Sequence, residues 1–397
     1  MTISYSGNFI RLLFRWKGSI WRSVWKELVI YVVFFYCIRL YYTVGIDLIS
    51  ESTDAAEVSR QTFEALCRRF DAYCRLIPLT FLLGFYVSNV VGRWWRQFEC
   101  LPWPEDFLTL LCAVIQKSDE QSFKRRHVIA RYLNLSTVLA WRDISSKIRL
   151  RFPNVSNLIT AGLLTQQEFQ ALENIQESCN TLRWMTPLYW IQQILLREEA
   201  ENKPNASMVN NLLAELKAYR GNLRKLFAYD WVSVPLVYTQ VAALATYAFF
   251  FFALFGRQTI LSDVKSGKDL EMPVPIFLIV QFLFFVGWFK VGQDLMRPFG
   301  LDDDDIELNY ILDRNIQTSF AIISKLHMTP PPDFEDENLL WKARDQKLES
   351  LPHTRASLKI AEHRPKLHSY VKVGENRNEE PSSGCFRASK TKRHIDW

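Results

Sequence analysis

Apolar positions along this chain gather into four stretches, at residues 28–46, 76–92, 231–256 and 272–289, separated by polar sequence. A helix needs about 20 mostly apolar residues to cross a bilayer, so each stretch predicts a membrane-spanning helix. The first carries one charge, Arg39, and the third is uncharged for 26 residues. Ahead of them, residues 1–27 are basic near their end (Arg11, Arg15, Lys17, Arg22, Lys26), and 9–25 mixes aromatic and basic side chains, the pattern of an interfacial helix. Residues 47–75 begin polar and acidic and predict an extracellular loop and the start of the next helix. That span, 76–97, ends in Arg93-Trp94-Trp95-Arg96, an interfacial anchor, before Pro102 and Pro104 break the helix. Residues 98–230 predict a large helical extramembrane region. In it Leu212, Leu216, Tyr219, Leu223 and Leu226 recur at 4-3-4-3 spacing, a packing stripe. Residues 257–271 form a second short loop, and 272–290 the fourth span, opened by Pro273 and Pro275. A segment at 291–329 follows, then a polar tail, 330–397, expected to be disordered.

Within the second stretch Ile77, Phe81 and Phe85 fall at i, i+4 and i+8, one face of a helix. Such a face serves helix or lipid packing, or, repeated by several copies around an axis, lines a throat with three apolar rings. Four crossings return the chain to its starting side, and the basic N-terminus makes that side the cytosol. No cleavable signal peptide is expected, since basic residues precede any long apolar run. The sequons at Asn134, Asn154 and Asn205 then lie in the cytosol and are expected to stay free of glycan.

Composition narrows the class. The chain has 397 residues, 49% hydrophobic and 14% aromatic, with mean hydropathy near zero, so it is the clustering that carries the membrane signal. The net charge of +6 comes partly from the tail, and no basic patch interleaved with stacking aromatics points to nucleic acid. Seven cysteines without a CxxC pair argue against a disulfide framework or a zinc site; Cys67 and Cys74 read as buried thiols. No nucleophile elbow, phosphate loop or HExxH motif supports an enzyme. Arg39 either has a structural partner or attracts anions.

Past the fourth span, Asp302-Asp303-Asp304-Asp305 follow Pro298 and Gly300. One reading is an acidic first helical turn, with Asp302 as cap and the helix at 306–313. The other is a calcium site, since that ion takes carboxylate and carbonyl oxygens.

Several segments together resemble the bestrophin family over roughly residues 1–325: Met1-Thr2-Ile3-Ser4-Tyr5, Arg15-Trp16-Lys17-Gly18-Ser19, 76–87 with Arg93-Trp94-Trp95, 99–104, Ala228-Tyr229-Asp230-Trp231 through Tyr238-Thr239-Gln240, and Pro298-Phe299-Gly300. The resemblance implies an all-α membrane protein with four transmembrane helices per subunit and a large helical cytosolic region, assembled as a pentameric channel around a central pore. It implies passive chloride conduction gated by intracellular calcium, in the plasma membrane, by a homopentamer or a mixture with related subunits, with N- and C-termini cytosolic. Ile77, Phe81 and Phe85 become the pore neck, and Ser207 the cytosolic aperture. The calcium ligands fall on the carboxylates of Asp302 and Asp305 and the backbone carbonyls of Asp294 and Arg297. The N-terminal segment that supplies a further carbonyl in the family is shorter here, between Ser6 and Phe9. A membrane-anchored adaptor that regulates other channels, or a secondary anion transporter, are the competing classes. The absence of an inverted repeat and of paired broken helices weighs against the transporter.

Overall fold

The computed structural model describes residues 9–50, 52–178, 183–265 and 274–329, and among these every regular element is helical. Residues 330–397, expected to be a disordered tail, lie outside the described residues, as does the opening motif.

A short α1 (Phe9–Leu13) turns back at Gly18 into α2 (Ile20–Leu40). The interfacial segment is therefore not one helix through Trp25. α2 continues through a π-helical turn, Tyr41–Gly45, into α3 (Ile46–Ile49), a continuous helical run from Ile20 to Ile49. The π turn aims Tyr42 inward, where its hydroxyl donates to Glu64 Oε1 at 2.6 Å. The expected outer loop at 47–75 is mostly helix: α4 (Thr53–Leu76) starts on Ser52, whose hydroxyl accepts from Ala55 N–H. Its polar residues misled because they occupy a solvent-facing side, while Cys67 and Cys74 pack inward as free thiols.

A break at Ile77 and Pro78 separates α4 from α5 (Leu79–Glu99), and the two axes differ by 41°. Then come α6 (Glu105–Val114), α7 (Glu120–Ile144), α8 (Ser146–Arg151), α9 (Asn157–Thr160), α10 (Gln166–Ser178), α11 (Thr186–Asn202) and α12 (Ala206–Trp231). The chain re-enters apolar sequence in α13 (Leu236–Gly256), passes α14 (Leu261–Lys265), runs down α15 (Ile276–Asp294) and ends in α16 (Leu308–Ala321) with a π turn, Ile322–Leu326. By length and apolarity α2–α3, α13 and α15 can each cross a membrane, and the bent pair α4–α5 qualifies as a fourth.

Two cores result. One joins α2, α4, α5, α13 and α15 through side chains such as Phe35, Leu83, Val87, Phe250, Phe282 and Phe289. Its outward faces are also apolar (Phe34, Leu244, Phe277), the pattern of a bundle surrounded by lipid rather than water. Close approach is bought with small residues: a Cβ on Gly256 would lie 2.6 Å from Asp71 N on α4. The second core centres on α7, packed by α6, α11, α12 and α16. All five residues of the α12 stripe are buried in it, and Tyr219 shares a 2.6 Å hydrogen bond with Thr137. Asn134 is 1% exposed, its amide donating to Ala130 O and Ser319 Oγ, so no glycan fits there in the folded chain.

Candidate functional site

The second span does not read as one helix through the apolar stripe. Ile77 adopts extended backbone (φ −82°, ψ 113°) ahead of Pro78, because a residue before proline is pushed out of the helical region. It is half-buried against the membrane core. Phe81 and Phe85 do share a helical face: their ring centroids are 4.7 Å apart, and they are 63% and 58% exposed. The opposite face of α5, with Leu79, Leu83, Tyr86, Val87 and Val90, is packed against the core. One turn beyond Phe85, Asn89 is also exposed, and its amide donates to Tyr238 Oη at 2.6 Å. Tyr238 in turn donates to Phe85 O at 3.1 Å, so α13 braces the aromatic pair through its backbone. Sequence reasoning missed this brace, since nothing in the pattern pairs residues 153 positions apart. Arg93 was expected to be an interfacial anchor. Its guanidinium donates to Val232 O at 2.7 Å and to Tyr229 O, tying the end of α5 to the α12–α13 junction. Arg39 donates to Thr259 O at 3.1 Å, so it has the structural partner that a charge within a span requires.

Behind the aromatic pair, α5 lies on α15. A Cβ on Gly292 would sit 2.6 Å from the Tyr86 ring and 3.4 Å from Val87, so only glycine permits this approach. Two residues later α15 ends at Asp294, where the chain enters the aspartate loop.

That loop is not the first turn of a helix. α16 begins at Leu308 with Glu307 at its cap position, so Asp302 caps nothing, and the helix expected at 306–313 runs further, to Ala321. Asp305, 3% exposed, accepts from Asp302 N–H at 2.6 Å, and Ile306 N–H donates to Pro298 O at 2.8 Å. The two bonds fold residues 298–306 into a closed turn. A Cβ on Gly300 would lie 2.8 Å from Asp305 Oδ2 and 3.7 Å from Arg297 O, so carboxylate and carbonyl converge over the glycine. Neither Asp294 O nor Arg297 O accepts a backbone hydrogen bond from the described residues. Burial first, and then the negative charges of Asp302 and Asp304, hold the Asp305 carboxyl up at about 6, against the Asp302 N–H bond and Lys147. The start of α2 grips this loop: Arg22 pairs with Asp303, and Ser23 Oγ lies 3.5 Å from Asp294 Oδ2. Among the described residues no three His, Cys, Asp or Glu side chains gather into a metal cluster. Of the implied ligand oxygens, Asp305 Oδ2 and Arg297 O converge over Gly300, and oxygens of these two kinds suit a hard cation such as calcium and not a soft metal.

Ser207 lies far from both sites in sequence, exposed in the first turn of α12, where its N–H donates to Asn205 Oδ1 at 2.9 Å.

The family model described as "Bestrophin, RFP-TM, chloride channel" matches residues 1–325. Bestrophin homolog 13 of Caenorhabditis elegans is 58% identical over 413 residues, all of both chains. Human Bestrophin-1 is 38% identical over 83% of this chain, which spans 56% of that protein's length. Among solved structures, a bacterial bestrophin homolog from Klebsiella pneumoniae superposes with a TM-score of 0.51 at 14% identity, covering 77% of this chain and 99% of its own, a likeness of fold. With its helices, its apolar outer faces, the family model over residues 1–325 and a relative matched over its full length in agreement, the chain belongs to the bestrophin family of membrane proteins, a family described as chloride channels.

Proposed function

We propose that this chain is one subunit of a homopentameric anion channel of the plasma membrane, with both termini cytosolic, that passes chloride and other small anions down their gradient. Phe81 and Phe85, with Ile77 above them at the helix break, form the neck, and Ser207 marks a second constriction in the cytosolic part.

The exposed Phe81–Phe85 pair carries the reading. A lone helix packed on one face leaves these rings either to lipid or to a passage shared with other copies. The next residue along the stripe, Asn89, supports the passage: an exposed amide with one oxygen left to satisfy is costly in hydrocarbon and comfortable beside water. Apolar rings repeated about an axis close a narrow pore by dewetting. Their partly positive edges let a half-dehydrated anion pass where a cation is disfavoured.

The aspartate loop supplies the gate's control. Bound calcium would neutralise Asp302 and Asp305 and tie their loop to the carbonyls at the end of α15. Without that charge compensation, the acids repel one another around a buried Asp305. Gly292 then transmits the position of α15 to α5 through Tyr86, and Tyr238 fixes the level of Phe85.

Chloride efflux from liposomes holding the purified protein tests the function. The channel gives dye-reported efflux that follows the chloride gradient alone. An adaptor gives none, and a transporter gives flux that depends on a second ion; either result overturns the proposal.

A further inference from the structure

We propose that the groove between the α1–α2 turn and α15 holds one anionic phospholipid. The proposal rests on the membrane setting of the family and not on conduction. At the turn, Ser19 Oγ donates to Trp16 O at 2.7 Å and Trp21 Nε1 donates to Leu13 O at 2.7 Å. These bonds hold α1 folded back beside α2 and leave a groove of about 540 Å³ against α15. That volume is within the range of small-molecule sites, about 300–1,000 Å³.

The lining divides by chemistry. Leu13, Ile20, Leu283 and Phe284 make an apolar floor, while Arg15 and Lys17 stand on the rim. Phe284 is 70% exposed, so the floor is continuous with the outer apolar face of α15. Trp16, Trp21 and Trp25 are all exposed around the turn, the residues that mark headgroup depth. An amphiphile whose chain follows Phe284 and Leu283 into the bilayer therefore brings its head to the two cations. The one acid on the lining, Asp304, leaves the rim net positive and selects a head of one or two negative charges over a neutral zwitterion.

Native mass spectrometry of the full-length protein, titrated with phosphatidylserine or phosphatidylcholine, measures the site. The expected result is a preference for phosphatidylserine of about fivefold, the factor that one basic side chain supplies near an anionic surface. Lys17→Glu abolishes that preference while neutral lipid still binds. Leu283→Trp, which fills the floor, lowers retention of both. Equal retention of the two lipids by the wild type overturns the proposal, as does a preference that survives Lys17→Glu. So does a changed oligomeric state in Leu283→Trp with unchanged lipid retention, which would put a second copy in the groove. Chloride efflux from the same preparation separates the two claims: efflux without lipid preference sinks only the lipid site, and lipid preference without efflux sinks only the channel.

Discussion

Phe81→Ala and Leu83→Ala, two residues apart on α5, should have opposite consequences. Phe81 is 63% exposed, so only about a third of its ring is covered within the chain. Full burial of a phenylalanine side chain is worth about 1.5–3 kcal/mol, so its removal should cost about 1 kcal/mol or less. Leu83 is 1% exposed among Val87, Phe282 and their neighbours. Its truncation leaves a cavity and should cost about 2–5 kcal/mol. In detergent, thermal unfolding should barely move for Phe81→Ala and fall by several degrees for Leu83→Ala. In liposomes the order reverses. Phe81→Ala widens an apolar ring in every subunit and should give calcium-independent chloride efflux, whereas folded Leu83→Ala protein should keep its dependence on calcium. Calcium-free efflux no greater than that of the wild type in Phe81→Ala would refute the neck. A loss of stability matching that of Leu83→Ala would show instead that the ring is a packing residue.

Asp302→Ala combined with Asp305→Ala should move half-activation of efflux to calcium concentrations at least about tenfold higher, the effect of roughly 1.4 kcal/mol of lost binding; an unmoved dose response would reduce these acids to a structural turn. Glu168 tests the second core. Burial would raise its carboxyl, but Arg131 at 2.7 and 2.6 Å, Tyr132 and Thr165 N–H hold it down at about 2. The folded value lies below the unfolded one, so this contribution is present above pH 4.5 and is lost as the pH falls through about 2. At about 1.4 kcal/mol per unit it is worth at most about 3.5 kcal/mol. Glu168→Gln should flatten acid unfolding over that window, and an unchanged acid limb would reject the assignment. Peptide N-glycosidase should leave the mass of the protein made in a eukaryotic host unchanged, while a shift assigned to Asn154 or Asn205 would invert the topology.

The sequence by itself determined where the apolar mass lies and which residues sit on which face. Runs as long as 231–256 have one way to satisfy their backbone in lipid, and the stripe Leu212 to Leu226 has one face to bury. It also located the aromatic pair, since i and i+4 neighbours meet on any helix. Tertiary structure decided what local pattern leaves open. The 41° angle between α4 and α5 is set by packing, although Pro78 takes Ile77 out of the helix by a local effect that the spacing alone overlooks. The polar stretch before it became a helix because only its inner face, Cys67 and Cys74 included, needed apolar residues. The aspartates were undecided between cap and ion site because a cap requires a helix to follow at once. Where that helix starts is set by Ile306 and Leu308 entering the second core, which leaves residues 298–306 to close on themselves through Asp305. The Tyr238 brace and the Gly292 contact join segments far apart in sequence, and their partners become neighbours only once five helices share a core.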